Sequence, residues 1–241
     1  MKVSAVSDRG KVRPSNQDSY LLEETDKGML CILADGMGGY AGGEIASKMA
    51  VDLIFQGVAE ATEEVNEDTL LDILTRANDA IYRKSIVEPG LTGMGTTLCV
   101  ALIMRERTIL AHVGDSRIYL WHDKELRQLT KDHTLVAELI RSGEITAEQA
   151  LTHPHRHILT RAFGVEYNTQ LDMETIQLNE GDRLLMCSDG LYMYVTDEEI
   201  RRLLVRRPSV KKVCDRLLEK AMKGGGADNI TVLCVEKEGE A

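Results

Sequence analysis

Met29-Leu30-Cys31-Ile32-Leu33-Ala34-Asp35-Gly36-Met37-Gly38-Gly39 is the stretch from which the rest of the chain is read. An apolar run stops at a carboxylate and is followed by a glycine-rich segment. The pattern predicts a buried strand that delivers a charge to a sheet end, where backbone can approach a ligand closely. The pattern recurs. Leu184-Leu185-Met186-Cys187-Ser188 leads into Asp189-Gly190, and Ile109-Leu110-Ala111-His112-Val113 leads into Gly114-Asp115-Ser116. A further aspartate, Asp228, stands after Gly224-Gly225-Gly226 and ahead of the strand-like run Ile230 to Val235. Strands that each end in an aspartate gather carboxylates at one rim of a β-scaffold, and like charges so gathered need a cation between them.

Composition bounds what such a rim can serve. The 241 residues are enough for one large core, no Pro- or Ser-rich linker divides them, and the chain reads as a single domain over 1–241. A hydrophobic fraction of 43% and a charged fraction of 28% are those of an ordinary globular protein. With 29 Lys plus Arg against 39 Asp plus Glu, the net charge of -10 argues against a nucleic-acid partner. No apolar run approaches the roughly 20 residues of a membrane helix, and Lys2, Asp8, Arg9 and Lys11 interrupt any signal-peptide core. A cytoplasmic monomer with no membrane partner is therefore expected. The 5 cysteines, Cys31, Cys99, Cys187, Cys214 and Cys234, lie in apolar runs without a C-x-x-C pair and read as reduced, buried small hydrophobes.

Along the chain, Lys2 to Asp8 alternates as a short strand, and Arg13-Pro14-Ser15-Asn16-Gln17-Asp18 is a polar cluster stiffened by its proline. Taken alone, that cluster is a surface loop with a local ion pair. Ile45, Met49 and Leu53, beside Ala46, Ala50 and Ile54, predict an amphipathic helix over about 43–58; Asn66 caps a second helix through Leu70, Leu74, Ala77 and Ile81. Strands over 98–104, 108–113 and 117–122 follow in quick succession with short polar turns, which favours antiparallel pairing. Gly93-Met94-Gly95-Thr96-Thr97 lacks the lysine and spacing of a P-loop and reads as a tight turn that lets strands pack closely. Between 130 and 164 the texture becomes that of a small helical insertion, with helical pieces over 135–142 and 146–151. It ends in His153-Pro154-His155-Arg156-His157, which reads as a polar loop in preference to a zinc site, because no fourth ligand can be named. Strands over 171–177 and 183–187 come next, then a helix from the capping box Thr196-Asp197-Glu198-Glu199, and another from Ser209 to Lys223.

Asp35, Asp115, Asp189 and Asp228 are hard oxygen donors with no Cys or His at metal-ligand spacing, a set that favours Mg2+ or Mn2+ over Zn2+. A pair of such ions can activate a water for in-line attack and neutralise a phosphoryl group. Arg13 would clamp the phosphate oxygens bidentately.

Read together, Arg13 with Asp18, Asp35-Gly36-Met37-Gly38-Gly39, Gly95-Thr96-Thr97, Val113-Gly114-Asp115-Ser116-Arg117, Thr130 with Asp132-His133, Leu159-Thr160-Arg161-Ala162, Ser188-Asp189-Gly190 and Asp228-Asn229-Ile230-Thr231 occur in the order found in the metal-dependent protein phosphatases of type 2C, also called PPM. The chain closely resembles that family over nearly its full length, and in particular its bacterial serine/threonine branch. The resemblance implies an α+β fold, a four-layer αββα sandwich of two antiparallel sheets flanked by helices, with a small helical flap at about 130–164. It implies two Mn2+ or Mg2+ ions per site, with Asp35 bridging, the Gly36 carbonyl contributing, and Asp189 and Asp228 completing the ligands. Asp18 matches a carboxylate that orients water at the centre, Arg13 the phosphate-binding arginine, and Asp115 with Asp189 the place of a third ion. For Asp115 the plain alternative is an Asx-turn that caps its hairpin. Implied substrates are phosphoserine and phosphothreonine proteins, a bacterial serine/threonine kinase among them.

Met37 stands where animal members carry a histidine that protonates the leaving group, which leaves the acid open among His133, His157 and a metal-bound water. Cys99 and Arg105 satisfy C-x5-R, but the residues between them are strand-like, so a cysteine phosphatase is rejected. A catalytically weak binding module of the same fold and a small-molecule phosphohydrolase are the competing functions.

Overall fold

The computed structural model describes residues 1–239, apart from the side chains of Tyr40 and Ala41. The elements in chain order are β1 (Lys2–Asp8), β2 (Asp18–Thr25), β3 (Gly28–Met37), α1 (Gly39–Ala59), α2 (Glu67–Val87), β4 (Gly95–Thr96), β5 (Leu98–Ile103), β6 (Thr108–Val113), β7 (Arg117–His122), β8 (Glu125–Gln128), α3 (Leu135–Arg141), α4 (Ala147–Leu151), β9 (Asp172–Ile176), β10 (Arg183–Cys187), α5 (Asp189–Tyr192), α6 (Asp197–Val205), α7 (Val210–Gly224) and β11 (Ile230–Glu236). They form two sheets. The first runs β1-β11-β10-β7-β8 and the second β2-β3-β5-β6-β9, with β4 paired to the end of β3. All pairings are antiparallel.

The period of two along each strand separates three apolar layers. On β3, Leu30, Ile32 and Ala34 face α1 and α2, while Met29, Cys31 and Leu33 face the other sheet. On β11, Ile230, Val232 and Cys234 face α6 and α7, while Leu233 and Val235 meet the second sheet. Because both faces of each sheet are covered, the strands read as unbroken apolar runs. Helix on sheet on sheet on helix is the four-layer α+β sandwich expected.

Several boundaries differ from expectation. Helix α1 begins at Gly39 instead of 43, immediately after Gly38 in the left-handed region (φ 118°) turns the chain out of β3. Helix α2 starts after the Asn66 cap but continues to Val87. The predicted insertion is closed at its base: Thr134 pairs with Leu159, Leu135 N–H donates to the Ile158 carbonyl (2.9 Å) and Thr160 N–H to the His133 carbonyl (2.9 Å).

Candidate metal centre

Asp35 lies near the end of β3, where two threonines hold its backbone. Thr97 N–H and Thr96 Oγ1 donate to the Asp35 carbonyl at 2.8 and 2.9 Å, and Asp35 N–H donates to Thr97 Oγ1 at 3.0 Å. Gly95-Thr96-Thr97, expected as a tight turn, is instead extended: Gly95 and Thr96 form β4 against the end of β3, and this pairing holds the backbone of Asp35. Gly36 follows where the first turns of α1 press on the strand: a Cβ there would lie 2.1 Å from the Gly43 carbonyl oxygen.

Asp18 opens β2 directly opposite Asp35 in register. Two like charges facing across a strand pair repel, so something must hold them. Asp18 Oδ2 accepts from Thr231 Oγ1 (2.6 Å) and Ser188 Oγ (2.8 Å), while its buried Oδ1 has no protein donor. Asp189 begins α5 directly after β10, and its Oδ1 is likewise buried without a donor. Asp115 is almost buried in the turn that crosses from β6 in the second sheet to β7 in the first. Asp228 precedes β11 and its Oδ2 accepts from Arg13 Nη2 at 2.6 Å. The polar cluster 13–18 therefore makes its ion pair with Asp228, a strand edge away, and not internally as a loop reading supposes. Asn229 anchors that segment, donating to the Arg9 and Ser15 carbonyls (both 2.9 Å) and accepting from Gln17 N–H (2.8 Å).

A cleft of about 840 Å³ brings together Arg13, Asp35, Gly36, Asp115, Asp189 and Asp228, with Met37, His157, Leu159 and Met193 on its walls. Asp18 does not line the cleft; it stands beside Asp35 on the neighbouring strand. Burial, and then the charges of neighbouring aspartates, push the Asp35 and Asp189 carboxyls well above the usual range. Asp35 and Asp189 keep a face toward the cleft, yet their carboxylates are hemmed in by protein and by one another. Asp18 rises to about 6 by burial, against its hydrogen bonds from Thr231 and Ser188. Asp115 rises to about 6 by burial and by Asp132. Converging carboxyls with raised affinities for protons, and two buried oxygens lacking donors, are what a divalent cation would satisfy. The all-oxygen donor set fits Mg2+ or Mn2+.

The remaining candidates sort by position. His133 is 1% exposed and does not line the cleft, whereas His157, carried by the insertion, does. His153 and His155 meet edge to face in an exposed loop, consistent with the polar-loop reading. Cys99 is fully buried in β5 and burial drives its thiol well above the ordinary range, so it cannot serve as a thiolate nucleophile.

Residues 11–225 match the family model for protein phosphatase 2C. The chain belongs to the protein phosphatase 2C family. It is similar to the serine/threonine phosphatase stp of Listeria monocytogenes serotype 4b, with 42% identity over 238 residues, 96% of this chain and 94% of that one. It is also 44% identical over 241 residues to the serine/threonine protein phosphatase PstP of Mycobacterium tuberculosis, covering 98% of this chain and 45% of that protein. Among solved structures, the catalytic domain of PstP in complex with 2 manganese ions superposes with a TM-score of 0.86 at 39% identity, over 99% of this chain and 98% of that one. The phosphatase is thus a metal-dependent serine/threonine enzyme of the bacterial PPM branch, as its ordered motifs imply. What those motifs leave silent are the supports. Ser188, Thr231, Thr96, Thr97 and Asn229 hold the carboxylates and the arginine loop through contacts distant in sequence.

Proposed function

We propose that the phosphatase hydrolyses phosphoserine and phosphothreonine by in-line attack of water, with Asp35, the Gly36 carbonyl, Asp189 and Asp228 holding two Mn2+ or Mg2+ ions and Asp115 joining Asp189 at a third. When bound, such ions lower the pKa of water and neutralise charge on the phosphoryl group. Asp18, fixed by Thr231 and Ser188, orients the nucleophile through its free Oδ1. Arg13 is the clamp for the phosphoryl oxygens. It rests against Asp228, and a ligand role for that carboxylate would leave the guanidinium fork to the substrate. Met37 cannot donate a proton and His133 is buried, which leaves two candidate acids for the leaving oxygen: His157, which lines the cleft but is held below its ordinary pKa by burial and Arg156, and a metal-bound water.

The observation that carries this reading is the convergence of Arg13 and four aspartates on one cleft, with Asp18 beside Asp35 on the neighbouring strand. Its substrates are phosphoproteins, among them a serine/threonine kinase, and the insertion at about 130–164 acts as a flap that selects them. No helix among the described residues is long and apolar enough to cross a membrane; the enzyme is taken to act as a cytoplasmic monomer. Hydrolysis of a phosphothreonine peptide is the test, run with Mn2+, with EDTA, and on the Cys99→Ser variant. Turnover that needs the metal and survives the serine substitution supports the mechanism. Turnover in EDTA, or its loss in Cys99→Ser, overturns it. Inert peptide beside rapid hydrolysis of small phosphate esters would favour the small-molecule phosphohydrolase, and inertness toward both the binding module.

A further inference from the structure

His133 is bound to the turn that carries Asp115 from both sides of its own residue. Its N–H donates to the Gly114 carbonyl (2.8 Å), and Gly114 N–H donates back to His133 Nδ1 (3.1 Å). An Nδ1 that accepts from a backbone amide carries no proton, so in the neutral ring the proton is on Nε2. Nε2 faces Asp172 Oδ2 at 3.2 Å, and Asp172 Oδ1 accepts from Arg161 at 2.9 Å. The His133 carbonyl accepts from Thr160 N–H, on the returning end of the flap (2.9 Å). On its far side the same turn rests on Thr97: a Cβ on Gly114 (φ 103°) would lie 2.7 Å from the Thr97 side chain, and Ser116 Oγ meets Thr97 Oγ1 at 2.7 Å.

We propose that His133 is a positioning residue which, with Asp172 and Arg161, sets the Gly114-Asp115-Ser116 turn against Thr97 and so ties the geometry of the Asp115 carboxylate to the base of the flap. The proposal rests on the reading of Asp115 as a metal ligand. Burial and Arg161 hold His133 below its ordinary range and so in the neutral form that the two hydrogen bonds require.

The same region offers a competing chemistry. His112, in register with Asp172 and tilted 39° against the His133 ring with centroids 4.8 Å apart, has two buried ring nitrogens without partners, and His112, His133 and Asp172 offer ligand atoms within 4.8 Å of one another. Ligation through His133 Nε2 would move the proton to Nδ1, where it would oppose Gly114 N–H. The hydrogen bonds therefore favour the positioning role over a nitrogen-rich metal site.

The experiment compares His133→Ala, His133→Asn, Asp172→Ala, Asp115→Ala and the double variant His133→Ala/Asp115→Ala. Read for each are kcat, KM for a phosphopeptide, the Mn2+ concentration at half-activation, and melting temperature. A group that orients a ligand's segment is worth roughly tenfold or more in metal affinity or activity. His133→Ala is expected to raise the Mn2+ requirement and lower kcat by that order with KM unchanged. Asn, whose amide can accept from Gly114 N–H, should restore most of the loss, Asp172→Ala should share the defect in milder form, and the double variant should be no worse than Asp115→Ala. Unaltered Mn2+ dependence and kcat in His133→Ala, with Asp115→Ala impaired, would overturn the inference and leave His133 a stabilising residue alone. Normal kinetics in Asp115→Ala would instead remove the reading on which it rests. Binding of an extra equivalent of Co2+ under excess Mg2+, lost in His112→Ala and kept in Asp35→Asn, would replace the positioning role with a metal site.

Discussion

Asp18→Asn should make the metal-free protein more stable while making the enzyme worse. Asp18 is buried and faces Asp35, and its carboxyl rises from 3.8 to about 6 in the fold. At about 1.4 kcal/mol for each pH unit, that rise costs the metal-free fold on the order of 3 kcal/mol at neutral pH. The figure is an upper bound, because the neighbouring carboxyls exchange protons with it and relax when one charge is removed. A raised carboxyl pKa means that the folded state holds the proton more tightly than the unfolded chain. Its contribution to stability is thus fully present below about 3.8 and is lost as the pH rises through about 6. Asparagine is isosteric, keeps an acceptor for Ser188 and Thr231, and turns an amide toward Asp35. In EDTA at pH 7.5 the variant should melt higher by roughly 5–10 °C, since about 1 kcal/mol moves a chain of this size by 2–4 °C. The advantage should shrink steadily toward pH 4.5 and should also shrink when saturating Mn2+ is added. Thermal unfolding followed by circular dichroism across pH, with and without metal, measures it. A variant that in EDTA melts at or below the wild type at pH 7.5, or whose gain is the same at pH 4.5, would refute the account of the site as a strained carboxylate cluster.

Asp35→Asn, Asp189→Asn and Asp228→Asn should each nearly abolish turnover in a folded protein, and a wild-type rate in any of them would displace the centre. Arg13→Ala should raise KM for a phosphopeptide and lower kcat, since the clamp binds the phosphoryl group in ground and transition states alike; an unchanged kcat/KM removes it from the site. His157→Ala should slow a phosphothreonine peptide, whose alkoxide leaves poorly, far more than p-nitrophenyl phosphate, which needs little protonation; equal losses would argue against a proton donor. Shortening the segment 144–155 should alter rates on phosphoproteins more than on an aryl phosphate, and equal effects would leave the flap a structural part only.

Period and punctuation made the architecture readable where burial is two-sided: the runs ending at Asp35, Asp115 and Asp189 are core strands whose last residues reach one cleft. Elements with little apolar content escaped. Edge strand β8, Glu125-Leu126-Arg127-Gln128, offers one apolar residue, and its hairpin turns on Asp123 and Lys124 at positive φ in place of the Asn-Gly that announces such turns. Helix α5 is a single turn holding Gly190, too short for periodicity to mark. Which residues meet was legible for the carboxylates through their motifs. Asp228 as the partner of Arg13, and Ser188 and Thr231 as donors to Asp18, join segments about 170 to 215 positions apart, and no local pattern encodes such a meeting. His133 misled for a related reason: a histidine in a polar segment suggests an exposed acid, but long-range packing buries it.

The carboxylates do not come from one sheet. Asp18 and Asp35 belong to the second, Asp189 and Asp228 flank strands of the first, and Asp115 lies on the strap between them. Elsewhere the two sheets touch through an apolar layer. At this edge they are already sewn together without any ion, because Ser188 and Thr231 beside and on strands of the first sheet both donate to Asp18 of the second, and cations shared by carboxylates of both sheets would add a charged seam to that polar one.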